Sequence, residues 1–176
     1  MSVAAEFARP VRLDVLGSAP RALAIAAEPD ECAALATRFG LIALDSLAAD
    51  ATLTRDGDAV LAEGRVRASV VQACIATGDP VPATIDSPFS LRFVPEGAAP
   101  AGDEIELSED DCDVVEYQGL AIDLGEAVAE TLSLALAPFP RSPDAGAALK
   151  AAGVKSEEEA VAEASPFAKL KGLLGE

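Results

Sequence analysis

Apolar and polar positions alternate through much of the first hundred residues. Val11, Leu13 and Val15 are separated by Arg12 and Asp14, the period-two signature of a half-buried strand. Gly17-Ser18-Ala19-Pro20 breaks the pattern, and Leu23-Ala24-Ile25-Ala26 is expected to return as its partner strand. Pro29 opens a helix with Asp30 and Glu31 in the first turn, where the helix dipole favours anions. Leu35, Ala36 and Phe39 share the inner face of that helix, and Gly40 supplies a left-handed cap. A hairpin follows: a strand from Leu47 to Arg55, a turn at Asp56-Gly57-Asp58, and a long strand from Ala59 to Ala76. On the long strand Glu63, Arg65 and Arg67 point to one side, while Val66, Ala68 and Val70 point to the other.

Thr77-Gly78-Asp79-Pro80 turns the chain into a strand over Val81–Val94, where Phe89, Leu91 and Phe93 form an apolar stripe opposite Ser90 and Arg92. Pro88 cannot donate to a ladder, so it implies an edge position or a bulge. Pro95 to Gly102 is loop by composition, and Val114-Val115-Glu116-Tyr117 reads as a short closing strand. The period then changes. Asp123 with Glu126 has the spacing of a capping box, and Leu124, Val128, Leu132, Ala135 and Leu136 fall on one helical face that ends at Pro138. Beyond the stiff Phe139–Pro143 connection, Ala145–Ala152 reads as a short helix and Ser156 with Glu159 as another helix start. The closing segment spaces Phe167, Leu170, Leu173 and Leu174 among lysines, with too little apolar surface to fold alone.

Composition narrows the chemistry. The 176 residues contain no histidine, so no Ser-His-Asp triad, Cys-His dyad or HExxH zinc site can be built. Net charge is −17, with 30 acidic residues against 13 basic, which disfavours a broad surface for coating nucleic acid. Three cysteines, Cys32, Cys74 and Cys112, are too few and too far apart for a disulfide framework and suit reduced thiols. Met1 to Val11 holds Glu6, Arg9 and Pro10 and no apolar run of signal-peptide length, and no apolar stretch is long enough to span a bilayer. A cytoplasmic location without membrane contact is the expectation.

Each cluster of reactive side chains has a plain structural alternative. Asp103 to Glu116 carries eight acidic residues and no basic one. Asp103, Glu106, Glu109, Asp111 and Asp113 miss the spacing of a calcium loop, which leaves a solvated charged loop or an acidic surface for a basic protein. Cys74 reads as a buried structural thiol; Cys112 lies among carboxylates that oppose thiolate formation; Cys32 is the one a helix dipole could activate. Arg65, Arg67 and Arg92 form either a basic patch on one sheet face or cross-strand pairs with Glu63 and other carboxylates. Pro166, Phe167, Lys169 and Leu170 make an aromatic anchor with cationic neighbours, suited to a partner's groove or to the protein's own core.

Three stretches, in order, resemble the YceD family, named for accumulation of large ribosomal subunit RNA. Val70-Val71-Gln72-Ala73-Cys74, followed by Pro80, is similar to that family's strand with Cys-x-x-Cys and a downstream proline. Ile122-Asp123-Leu124-Gly125-Glu126, running on to Leu134-Ala135-Leu136-Ala137-Pro138-Phe139-Pro140, resembles its Ile-Asp-Leu block and proline-rich stop. Ser165-Pro166-Phe167-Ala168-Lys169-Leu170 resembles the segment that closes many members. The resemblance implies a bacterial or organellar cytosolic protein needed for 23S ribosomal RNA to accumulate, with no catalytic activity. Some members carry cysteines suited to zinc. Here Val71 stands at the first cysteine position and no cysteine follows Cys112, so no metal and no other cofactor is expected.

These readings combine into an α+β fold: an antiparallel, barrel-like sheet of five or six strands, packed by helices Pro29–Phe39 and Asp123–Ala137. The expected domain covers residues 1–140, and residues 141–176 form a helical C-terminal tail. Charge and resemblance together point to a ribosome-biogenesis factor that contacts a basic ribosomal protein or large-subunit assembly factor. The alternative is an RNA-binding module using Arg65, Arg67 and Arg92. A hydrolase built from scattered carboxylates is the third reading, and no spacing pairs two of them.

Overall fold

The computed structural model describes residues 5–97 and 113–155. It separates into two units, Met1–Gln72 with Pro82–Pro138, and Ala73–Val81 with Phe139–Glu176. The elements in chain order are β1 (Pro10–Arg12), a 3₁₀ turn (Leu13–Val15), β2 (Arg21–Ala26), α1 (Pro29–Phe39), β3 (Ala43–Asp56), β4 (Ala59–Ala73) and β5 (Pro80–Pro95). After residues 98–112 come β6 (Asp113–Tyr117), β7 (Ala121–Asp123), α2 (Leu124–Ala135) and α3 (Ala145–Ala151). Among the described residues no helix is long and apolar enough to cross a membrane.

The first unit is an α+β layer structure. Its five-stranded sheet has the order β2-β3-β4-β5-β6. The β3–β4 hairpin closes where Asp56 faces Ala59, and Gly57 at φ 62° supplies the left-handed turn residue. Alternation sends Leu47, Ala49, Ala51 and Leu53 of β3 and Val60, Ala62, Val66 and Val70 of β4 to one face. Phe89, Leu91 and Phe93 of β5 join them there, and α1 and α2 cover that face with Leu35, Leu124, Val128 and Leu132. A Cβ at Gly64 would stand 2.8 Å from the Phe89 ring and 2.9 Å from Ala51 Cα, so the missing side chain is what lets the ring lie on the strand.

Four expectations change. The sheet is open, with β2 and β6 at its edges, and is not closed into a barrel. It is not wholly antiparallel: β6 runs parallel to β5, pairing Leu91 with Asp113 through Pro95 with Tyr117. A parallel neighbour needs a long crossover, which the 96–112 connection provides. The Val11–Val15 strand is shorter than its alternation implied. Its buried residues are Leu13 and Leu16, three apart, and that spacing matches a 3₁₀ turn better than a strand. Finally, β1 pairs with β7 (Pro10 with Asp123, Arg12 with Ala121), while β2 pairs with β3. Local order in sequence pointed to a β1–β2 hairpin, and a partner more than a hundred residues away replaces it. Pro88 lies in β5, three residues before the point where pairing with β6 begins among the described residues, at Leu91.

In the second unit β4 gives way to a tight turn at Cys74, earlier than the Ala76 expected. Cys74 N–H donates to Asp79 O (2.8 Å) and Gly78 N–H to Cys74 O (2.8 Å), with Gly78 at φ 76°. Ile75 N–H donates to Pro140 O at 3.0 Å, and α3 buries Ala145.

Candidate functional site

Strand alternation does put Arg65, Arg67 and Arg92 on the outer face, opposite the core. Arg65 Nε donates to Asp86 Oδ1 of β5 at 2.9 Å, and Arg67 Nη2 pairs with Asp50 Oδ2 of β3 at 2.6 Å. Asp50 directly faces Arg65 in the register, so Arg67 reaches it along the diagonal. Arg92 is exposed and lies six positions beyond Asp86 on β5, roughly 20 Å further along the strand. Two of the three arginines are therefore neighbours engaged with carboxylates, and the third stands apart. Pro166, Phe167, Lys169 and Leu170 lie outside the described residues, as do Cys112 and most of the acidic stretch.

The Ile122–Glu126 block is where distant parts of the first unit are fastened. Ile122 and Leu124 are buried at 1% and 0% exposure. Asp123 between them caps α2: its Oδ1 accepts from Gly125 N–H (3.0 Å), Glu126 N–H (3.2 Å) and Arg9 N–H (2.8 Å). Leu124 N–H donates to Arg9 O at 3.2 Å, which ties the N-terminal segment to the start of the helix from both sides. Gly125 is required by that approach, since a Cβ there would collide with the Phe7 carbonyl oxygen and stand 2.8 Å from Arg9 N. Glu126 does not close the expected capping box. It binds Arg38 of α1 through both oxygens (3.0 and 2.6 Å), and Arg38 also reaches Glu6 at 3.1 Å. These carboxylates raise the Arg38 guanidinium pKa, the Glu126 hydrogen bond contributing most.

A second fastening sits at the start of α1, where a reciprocal Glu28–Glu31 capping box escaped the sequence reading because Ser or Thr is the usual first member. Glu31 accepts both Arg9 guanidinium nitrogens at 2.7 Å and the Glu28 N–H at 2.8 Å. The Arg9 bonds, then the Glu28 backbone bond, hold the Glu31 carboxyl down at about 2. Arg9 itself lies 4.5 Å over the Phe7 ring.

The Val70–Cys74 stretch meets the proline-rich stop at two points. Gln72 is 9% exposed and donates from Nε2 to Ala137 O at 3.0 Å, which satisfies a carbonyl just past the end of α2. In the second unit Cys74 is 3% exposed, and its thiol is lowered to about 6 by the Ser142 backbone N–H, then by the Thr77 and Ser142 hydroxyls. Cys74 is thus buried as expected yet acidified by hydrogen bonds that spacing in the sequence did not reveal. Cys32 goes the other way: burial, and then Glu31, Asp45 and Glu28, raise its thiol pKa against any dipole effect.

One concave region was missed. Between α2 and the β5–β6 edge runs a groove floored by Phe89, Leu91, Val115 and Ala127 and continued by Phe93 and Tyr117. Leu134, at 83% exposure, and Val114, at 51%, stand at its mouth. The signal was present: Leu134 is a large apolar residue on the face of α2 away from Leu132 and Val128. Among the described residues no three acidic or cysteine side chains converge as a metal site would require.

Comparison with curated proteins and with solved structures finds no match. A family model does match, over residues 62–174, and carries the description "Large ribosomal RNA subunit accumulation protein YceD". The matched span takes in the Val70–Cys74 strand, the Asp123-capped helix and the Ser165–Leu170 segment, and it covers more than half of the sequence. The chain belongs to the YceD family.

Proposed function

We propose that this protein supports accumulation of 23S ribosomal RNA as a cytoplasmic, non-enzymatic assembly factor, and that it does so by contact with a basic ribosomal protein or large-subunit assembly factor. Family membership supports the role in large-subunit RNA accumulation. The observation that carries the mode of contact is the state of the arginines. Of the nine in the sequence, Arg9, Arg12, Arg38, Arg55, Arg65 and Arg67 are already in ion pairs with the chain's own carboxylates. These six pairs reduce the cationic surface that the described residues could offer to phosphate, while a net charge of −17 attracts basic partners. Depletion of the protein, followed by profiling of ribosomal subunits, tests the role: 23S RNA and 50S subunits fall together. Normal 50S levels in depleted cells would end the proposal.

The RNA-binding reading differs in what it requires of Arg65, Arg67 and Arg92. RNA affinity with a steep salt dependence, lost on changing these three to Ala, would favour it. The ion pairs to Asp86 and Asp50 favour protein contact, because phosphate would first have to displace them.

A further inference from the structure

The groove beside α2 consists of two hollows of about 560 and 360 Å³ that share Val115, Ala127 and Glu130, so they form one channel. Its floor is apolar and its charge is one-sided. Asp113, Glu116, Asp123, Glu126 and Glu130 line it, and among the described residues no lysine or arginine does. Asp123 and Glu126 are engaged in the cap and with Arg38. Asp113 and Glu130 are exposed, and no ion pair among the described residues involves them. Leu134 and Val114 at the mouth leave apolar surface in water that an occupant would cover.

We infer that this groove docks a short cationic segment of a basic protein, with apolar side chains entering the floor and Lys or Arg meeting Asp113 and Glu130. The inference rests on the protein-contact reading above and gives that contact a location. Charge complementarity selects the occupant. RNA would bring phosphates against carboxylates, and a second copy of this acidic chain would bring like charge to like charge. Length sets its size: Asp123 to Leu134 spans roughly 17 Å of helix, which matches about five extended residues. Such a segment has the alternation that an edge strand beside a helix accepts, one side chain down and the next toward the rim.

The test uses the full-length protein and fluorescence anisotropy with labelled synthetic peptides. The main probe alternates lysine with Val, Leu and Phe. One comparison peptide replaces lysine with glutamate, and another replaces the apolar residues with serine. The lysine–apolar peptide binds, and both comparison peptides bind at least about tenfold more weakly. The double variant Asp113→Lys/Glu130→Lys loses about tenfold in affinity, as expected for two exposed charge pairs reversed. Leu134→Ser, at an exposed position that does not affect folding, also weakens binding. Glu63→Lys, on the outer face, has no effect. Equal loss from Glu63→Lys, unchanged binding by the double variant, or preference for an RNA oligomer would each overturn the site. Expressing the double variant in depleted cells separates the two proposals. Full rescue of 50S levels refutes the groove and leaves the assembly role standing, whereas normal 50S levels on depletion refute the role itself.

Discussion

Replacing Gly125 with alanine sets two physical rules against each other. Helix propensity alone says that alanine stabilises a helical position, by up to about 1 kcal/mol over glycine. Packing says the reverse. The new Cβ would collide with the Phe7 carbonyl and stand 2.8 Å from Arg9 N, and both are backbone atoms that cannot swing aside as a side-chain tip can. Accommodation moves the Phe7–Arg9 segment and strains two hydrogen bonds, Arg9 N–H to Asp123 Oδ1 and Leu124 N–H to Arg9 O. Each is worth about 1 kcal/mol. The same movement withdraws part of the Phe7 ring, which is 0% exposed and whose full burial contributes about 1.5–3 kcal/mol. Setting the propensity gain against these losses leaves a destabilisation of about 2–3 kcal/mol. Urea unfolding measures it: the midpoint falls by about 1 M or more with the slope unchanged. Gly146→Ala serves as the matched control, because a Cβ there meets nothing within 4 Å. It is neutral or mildly stabilising. A Gly125→Ala protein as stable as the wild type would refute the close approach of the N-terminal segment and the account of the Ile122–Glu126 block built on it.

Four further outcomes follow from the same geometry. Asp123→Ala removes the acceptor of three N–H groups and lowers stability by about 2 kcal/mol in the same unfolding assay, with loss of helical signal at α2. Glu31 has a folded pKa of about 2, below its ordinary 4.5, so its contribution is present above pH 4.5 and is lost as pH falls through 2. Its side chain is 23% exposed, which limits that contribution to about 1 kcal/mol; Glu31→Gln lowers stability at neutral pH and flattens the decline below pH 4.5. The thiolate absorbance of the wild type minus that of Cys74→Ser titrates near pH 6, and Thr77→Val moves the inflection upward toward 9.0. Tyr117→Phe removes a 2.6 Å bond to Asp58 O and costs about 1 kcal/mol, read again by urea midpoint.

Short-range signals were readable. Helix α1, from Pro29 to the left-handed Gly40, and the β3–β4 hairpin depend on spacing of two to eleven residues, and alternation or capping specifies them directly. The helix after Asp123 was legible for the same reason. The partner of β1 was not, because pairing Pro10 with Asp123 is decided by packing across the chain and neither strand has a pattern long enough to announce it. Nor was the parallel sense of β6, since five residues of sequence fit either direction. At the candidate surfaces, alternation put three arginines on one face but could not say that Asp50 and Asp86 would occupy two of them. The groove depends on Leu134 and Glu130 of α2 facing Asp113 and Val115 of β6, a juxtaposition that exists only after folding.

The β1–β7 pairing has a consequence for the order in which the molecule assembles. Residues 21–73 form β2, α1, β3 and β4, whose strand pairings all lie within that span, so this part can begin to order before β6 and α2 are made. Arg9 can meet Glu31 and Ala26 early, but Pro10 and the Arg9 backbone find their partners only when residues 121–125 have been made. Closure of this side of the core therefore waits for the Ile122–Glu126 block, to which it fastens residues 7–12. A bulky group fused close to Phe7 would be expected to slow that closing step while leaving the central sheet intact.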